Sequence, residues 1–324
     1  MRKLKYYSQE IAEHLFVPNN HFRKKLHTIF ADFSSDQFQS ALSRVNYYFK
    51  RKTTFELSQD AQKLSDLSCF DKSAYYYDLR SVVRYFPEKF SFHCWLRDVI
   101  SVPSDPCFVK CRPIDAEHDN SAILKLNQIR HFREIKDTIP FGQKVSKLVW
   151  RGSVFQRSWR AEFVKKLIRN PLCDVGANIG TGGMLSNEFE RDFMPIREQL
   201  KYKFIFSIEG ADVATNLKWI AQSNSLCFMK KPKHESWFME AKLIPGVHYV
   251  EVDAELNDLS EKIDYYKSNS EEALEIIRNM KLYHQQFQDR SQELLVSLLV
   301  AAKYFCLSGQ FAFPEPGVQE CFFN

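Results

Sequence analysis

The sequence predicts an α/β protein whose C-terminal part carries a parallel, doubly wound sheet. Three observations carry this. All ten glycines lie at or after Gly142, so the tight strand-to-helix turns that such a sheet needs are available only there. From Lys147 onward, short β-prone runs alternate with amphipathic helical stretches, which implies parallel crossovers. Tyr202–Ile208 (YKFIFSI) is short, aromatic and bounded by Glu209-Gly210, as a buried strand should be.

The elements follow in order. The first 141 residues contain no glycine and are rich in Phe and Tyr, in stretches such as RVNYYFK and SAYYYDLR. Their first part reads as helices, with short apolar segments later at Phe90–Leu96 and Cys107–Lys110. Lys147–Trp150 reads as a strand. Phe155–Ile168 reads as a helix with Trp159, Phe163, Leu167 and Ile168 on one face. After Tyr202–Ile208, Asp212 is placed to cap a helix running to about Ala221. Leu226–Met229 is the next strand. Glu235–Lys242 reads as a short helix closed by Pro245-Gly246, and Val247–Val252 as another strand. Three helices, Leu256–Lys267, Glu271–Gln288 and Gln292–Phe305, close the chain.

Composition bounds the function classes. At 324 residues the chain suggests about two domains. With 44% hydrophobic and 26% charged residues, it is too apolar for a disordered protein. The longest apolar stretch, Leu294–Ala302, is interrupted by Ser297 and followed by Lys303, too short for a membrane span. The start, MRKLKYYSQE, is basic without a following apolar stretch, so no secretory signal is expected; the tail CFFN matches no retention or lipidation pattern. A net charge of +5 is too small to imply nucleic-acid binding, but it suits a phosphate-bearing ligand or an anionic membrane surface. The eight cysteines, Cys69, Cys94, Cys107, Cys111, Cys173, Cys227, Cys306 and Cys321, show no metal-knuckle spacing and read as buried reduced thiols.

Five segments are candidates for chemistry. Trp150-Arg151-Gly152-Ser153, with Arg157 and Arg160 behind it, ends a strand and opens a helix. Free N–H groups there, a glycine admitting close approach and arginines able to clamp a diphosphate suit phosphate binding; a charged amphipathic helix is the plainer alternative. Ile208–Asp212, followed by Asn216 and Lys218, lies at the carboxyl end of the best strand. Lys218 is placed to meet a phosphate, and Glu209 and Asn216 to make polar contacts, against the alternative of an ordinary turn and capped helix. Glu235, ahead of Trp237-Phe238, is placed either to accept from ribose hydroxyls or to favour a helix dipole. Asp174–Gly180 (DVGANIG) resembles the glycine-rich loop of methyltransferases that bind S-adenosylmethionine. Finally, Lys110–Ser121 and Arg130–Asp137 bring together Glu117, His118, Asp119, His131 and Asp137, any of which is of a type to serve as a base; two histidines with several carboxylates also raise a metal site, against which stands the lack of an i, i+4 histidine pair.

In chain order, KCRPI, RHF, WRGS with its later arginines, FSIEGADVATNLKW, SNSLCFM and ESWFMEAKLIPGVHYV resemble glycosyltransferase family 90. That family contains eukaryotic protein O-glucosyltransferases, fungal capsule-associated xylosyltransferases and bacterial lipopolysaccharide-biosynthesis proteins. The resemblance runs from about Cys107 to Phe305, and the spelling of ATNLKW and WFME resembles the bacterial branch most. It implies a GT-B fold: two Rossmann-like domains facing across a cleft, with extra N-terminal and closing C-terminal helices. It divides the chain into an acceptor-side domain (1–141), a nucleotide-sugar-binding domain (142–290) and a C-terminal helix and tail (291–324) packing back on the first domain.

The same resemblance implies inverting, metal-independent transfer from a UDP-sugar, of glucose or xylose type, to a hydroxyl of a lipopolysaccharide core or related glycan. UDP-sugar is a co-substrate, and no cofactor is expected. Carried over, Arg151, Gly152, Ser153 and Arg157 or Arg160 match the diphosphate turn, Glu209, Gly210, Asn216 and Lys218 the second donor turn, and Glu235 an acidic position. Asn216 stands where eukaryotic members have an arginine. Their base is the aspartate of a His-Asp pair, matched by Asp119 after His118, with Asp137 in reserve. The expected partners are a UDP-sugar, a glycan or glycolipid acceptor and, through Arg2, Lys3 and Lys5, an anionic inner membrane leaflet touched from the cytoplasmic side. The competing readings are a methyltransferase and a catalytically silent binder of the same fold.

Overall fold

The computed structural model describes residues 18–31, 35–67, 74–180 and 185–313, together with residues 8 and 322. Arg2, Lys3 and Lys5, Cys69 and Cys321 lie outside the described residues. The chain divides into two compact units. The first comprises residues up to Arg130, then Lys233–Phe238, then the chain from Phe287; the second comprises His131–Pro232 and Met239–Gln286.

The first unit is built around one helix. Helices α1 (Asn19–Ala31), α2 (Ser35–Tyr48) and α3 (Ala74–Val83) precede a four-stranded sheet ordered β1 (Gln62–Lys63), β2 (Ser91–Trp95), β3 (Cys107–Val109), β5 (Ser121–Ile123). β1 is antiparallel to β2, and the remaining pairs are parallel. A short β4 (Cys111–Pro113) pairs antiparallel with β11 (His234–Ser236), the piece of chain that returns from the second unit's sequence range. The one-turn helix α4 (Gln128–His131) ends this unit's main run.

The last helix, α10 (Arg290–Leu307), packs against α2, α3 and β5, and every residue from Leu295 to Leu307 is buried. Asp289 caps it, accepting from the amides of Ser291 and Gln292. Its polar groups are paired: Ser297 Oγ donates to Glu293 O at 2.8 Å, and Lys303 Nζ donates to Asn46 Oδ1 at 2.7 Å and Phe49 O at 2.8 Å. Its apolar run therefore makes a core helix, and among the described residues no helix is long and apolar enough to cross a membrane. The aromatic richness of the N-terminal part has the same destination: Phe108 lies 4.4 Å from Tyr304, and Phe86 4.9 Å from Phe305, ring centre to ring centre.

The second unit holds a six-stranded, all-parallel sheet ordered β12 (Val250–Glu251), β10 (Leu226–Met229), β9 (Tyr202–Ser207), β6 (Val145–Gly152), β7 (Cys173–Asn178), β8 (Glu190–Arg191). In chain order this is the doubly wound 3-2-1-4-5-6 pattern. Alternation places Leu148, Trp150, Cys173, Val175, Phe204, Phe206 and Phe228 in one core, which α5 (Ser158–Leu167), α8 (Leu259–Ser268) and α9 (Ser270–Gln285) cover with Phe163, Ile263 and Ile276. Each buried aromatic or branched side chain contributes about 1.5–3 kcal/mol. α6 (Ile196–Gln199) and α7 (Leu217–Ile220) are single turns.

Several expectations are corrected here. β6 runs through Arg151 and Gly152, so both belong to the strand. α5 begins at Ser158, because Gln156 adopts a left-handed φ of 52° that turns the chain before the helix starts; Trp159 is 45% exposed and faces away from the core. The helix expected from Asp212 shrinks to α7, with Asn216 at its N-cap and Asp212 buried. Glu235 lies in a strand, and only Glu240–Lys242 is helical in that stretch. The last strand covers just Val250–Glu251, since Pro245–Tyr249 form a turn in which Gly246 N donates to Tyr249 O. DVGAN is strand β7; at Gly176 a side chain would run into Arg191 Cγ at 2.3 Å, which is why a glycine sits inside this strand.

Candidate functional site

The order of the second unit's sheet decides where a ligand can enter. From β6 the chain winds outward through β7 and β8, then returns to the other side of β6 as β9 and continues through β10 and β12. The crossovers after β6 and β9 therefore diverge, opening a crevice at the carboxyl ends of these two neighbours. There stand Gly152 and Ser153 from one strand and Ile208, Glu209 and Gly210 from the other.

The two strand ends are tied by Arg160. Its guanidinium donates to Ser153 O (3.1 Å), Ile208 O (2.9 Å) and Glu209 O (2.9 Å). Trp159 Nε1 adds a hydrogen bond to Glu209 O at 3.1 Å. Arg160 thus shapes the crevice. Arg157 is the more available cation: it is the N-cap residue of α5, donates to Gln156 O at 2.9 Å and lies 5.8 Å from the Trp159 ring centre. The first-turn amides of Ser158 and Trp159 add a partial positive charge beside it. Gly152 is required by its own neighbour, since a Cβ there would lie 2.7 Å from the Trp150 ring. Ser153 Oγ accepts from Phe155 N at 3.2 Å, closing the turn.

Arg151 points elsewhere. Nearly buried, it pairs with Asp174 and donates to Asp174 O at 2.7 Å and Trp150 O at 3.0 Å. Burial by itself would raise the Asp174 pKa; hydrogen bonds from Tyr202 and Arg151 outweigh it and hold the carboxyl below its ordinary value. Tyr202 in turn is pushed up to about 12 by burial and by Asp174.

Lys218, expected to meet a phosphate, is fully buried and paired with Glu240. Asn216 donates through Nδ2 to Phe206 O at 2.8 Å and accepts from Ser207 Oγ at 3.2 Å, holding the turn after β9. Asp137 is also enclosed: it accepts from Lys144 Nζ (2.7 Å), Asn224 N (2.8 Å) and Ile139 N (3.1 Å). It clamps the start of this unit to the loop ahead of β10.

In the first unit, Glu235 is the counterion of Arg112, at 2.7 Å and with both side chains essentially inaccessible. Tyr47 OH donates to the same carboxylate. Arg112 also donates to Tyr47 O (2.7 Å), Tyr48 O (3.1 Å) and Ser121 O (3.3 Å), so each of its three nitrogens has a hydrogen-bond acceptor. Asp119 lies exposed in the turn before β5; burial lowers the pKa of both Lys50 and Lys303, and the Asp119 charge offsets that only in part. His118 beside it is buried; Nε2 meets Ile114 O at 2.9 Å, and Nδ1 has no hydrogen-bond partner. Burial, then Arg112 and Lys50, lowers its pKa, which favours the neutral ring. Among the described residues, no group of three His, Cys, Asp or Glu side chains is arranged to hold a metal ion.

Comparison with known proteins assigns the family. The glycosyl transferase family 90 model matches residues 124–292, which span the whole second unit and the β11 excursion. The chain is 42% identical to O-glucosyltransferase LpsA of Dichelobacter nodosus over 265 residues, 82% of each chain. The chain belongs to glycosyl transferase family 90. It is 31% identical to protein O-glucosyltransferase 2 of Danio rerio over 143 residues, 41% of this chain and 27% of that one. It is 30% identical to protein O-glucosyltransferase 3 of Homo sapiens over 146 residues, 43% of this chain and 28% of that one. It therefore spans most of the bacterial relative and about a quarter of the animal ones.

Membership makes the chain a glycosyltransferase. In this family 90 enzyme the DVGAN stretch is a sheet strand, and the described residues that follow form a single helical turn (Asn187–Phe189) and β8. Among the described residues, no long helix of the kind a methyltransferase cofactor loop opens into follows it. Sequence reasoning undervalued Arg160 and Trp159. Their adjacency in the first turn of α5 was the available signal, but assigning Trp159 to the core face concealed it.

Proposed function

We propose that this family 90 enzyme transfers a sugar, of glucose or xylose type, from a UDP-sugar to a hydroxyl of a lipopolysaccharide core or related surface glycan. The transfer inverts the anomeric centre and uses no metal. The observation that carries this reading is the crevice between β6 and β9, where Gly152, Ser153, Arg157, the N-terminus of α5 and Gly210 converge. Of these, the Ser153 hydroxyl, Arg157 and the first-turn amides are donors of the kind a departing diphosphate needs, while the Gly210 N–H already donates to Asp212 O at 2.9 Å. As the glycosidic bond to UDP breaks, negative charge gathers on the diphosphate, and fixed N–H dipoles with an arginine stabilise it without a metal. Two units with a doubly wound sheet in the second fit a GT-B architecture.

The acceptor hydroxyl loses its proton to a carboxylate and attacks the anomeric carbon from the face opposite UDP. Asp119 is our choice of base. It is exposed, whereas Asp137 is enclosed by three donors. The exposed cations of the chain, with a net charge of +5, suit peripheral contact with an anionic membrane face from the cytoplasm.

Calorimetry with UDP, UDP-sugars and S-adenosylmethionine, with and without EDTA, tests the reading. UDP binding that survives EDTA is the expected result. Binding of S-adenosylmethionine alone would overturn it, and UDP binding abolished by EDTA would overturn metal independence.

A further inference from the structure

We propose that Trp159 is the nucleobase platform of the donor crevice, stacking its exposed indole face on the flat pyrimidine ring of the donor. The inference rests on the reading of that crevice as a nucleotide-sugar site.

Trp159 is 45% exposed although it stands in the first turn of a helix whose other large apolar residues are buried. It is nonetheless fixed: Nε1–H donates to Glu209 O at 3.1 Å, across from one strand end to the other. A held indole with a solvent-facing surface has already lost the rotamer freedom that stacking would otherwise cost. The same carbonyl receives Arg160 Nε at 2.9 Å, and Ile208 O and Ser153 O receive the other guanidinium nitrogens. Each of these three main-chain acceptors therefore already receives a hydrogen bond, which holds the turn and the ring together. A planar base needs only the ring face. The Arg157 guanidinium carbon lies over the same ring, 5.8 Å from its centre, and the first-turn amides of the helix are those of Ser158 and Trp159 beside it. That is the order of a nucleotide: base on the indole, diphosphate at the arginine and helix N-terminus.

The full-length chain and its W159A and W159F variants are titrated with UDP, uridine and inorganic diphosphate, by calorimetry and tryptophan fluorescence. In the unaltered chain, UDP and uridine should quench fluorescence and diphosphate should not. W159A should weaken UDP and uridine about tenfold while leaving diphosphate affinity unchanged, and should lose the quench. W159F, which keeps a ring but no Nε1 donor, should retain most of the UDP affinity. In turnover, W159A should raise the donor KM with kcat little altered, the signature of lost uniform binding.

Equal weakening of UDP and diphosphate, or W159F failing as badly as W159A, would mean that the indole only props the Glu209 turn and would overturn the proposal. Unchanged UDP affinity in W159A would overturn it as well. If the unaltered chain binds diphosphate and UDP equally well, there is no base subsite and the platform falls while the phosphate site stands. If it binds neither, the donor-site reading itself falls.

Discussion

Arg151 and Arg157 are six residues apart in one motif, yet their surroundings assign them opposite work. Arg151 is locked to Asp174 with little solvent access, so Arg151→Ala should act mainly on stability. Removing one partner of a mostly buried pair costs about 2–4 kcal/mol, to be read as a shift in urea midpoint. Arg157→Ala should instead leave the midpoint unchanged and, on the proposed donor-site reading, lower kcat/KM about 10²-fold in a donor-saturation assay, because it would remove a charge placed to act on the leaving group. Asp174 adds a pH test. Its folded pKa lies below the ordinary 3.8, so its stabilisation is complete above that pH and is lost as pH falls through the folded value. Melting curves of the natural chain and Asp174→Asn should therefore differ at pH 7 and converge as pH falls below about 4. The motif itself was legible, since only certain residue types suit a strand-to-helix turn. Which arginine is consumed by a buried partner was not, because that depends on β7 lying beside β6 and offering Asp174.

At the scale of elements, the hairpin of β4 and β11 is the least expected feature. Glu235 reads as part of a helix beside a nucleotide, but it crosses to the first unit and neutralises Arg112. Glu235→Ala would leave the buried Arg112 guanidinium without its counterion. The expected loss is about 3–5 kcal/mol in chemical denaturation, with the Glu235→Gln change costing less because an amide oxygen still accepts. The strands β6, β9 and β10 were recognisable because buried parallel strands are short and continuously apolar. β7 was missed because Asp174, Gly176 and Asn178 alternate with Val175 and Ala177. Half the strand faces a polar surface where Arg151 and Arg191 lie, and this breaks the apolar signal.

At the scale of the whole molecule, the chain returns to its first unit at its end, and α10 becomes that unit's central helix. Amides of α10 from Leu295 to Leu307 should therefore exchange with deuterium only through global unfolding of the first unit. Mass-spectrometric exchange should show them as its slowest peptides, and faster exchange than in β2 or β3 would contradict this. The sequence by itself determined the α/β class, the glycine-bearing second half, the strands at 202 and 226, and the motifs that mark family 90. These are local matters: period, turn chemistry and residue types at fixed spacing. Only the tertiary structure decided that β6 and β9 are neighbours with diverging crossovers. It also decided that Lys218, Arg151 and Glu235 are consumed by Glu240, Asp174 and Arg112, while Arg157 and Asp119 remain open. A side chain's partner is set by which distant segment packs against it and by the cost of burying an unpaired charge, and neither is written in its immediate sequence neighbours.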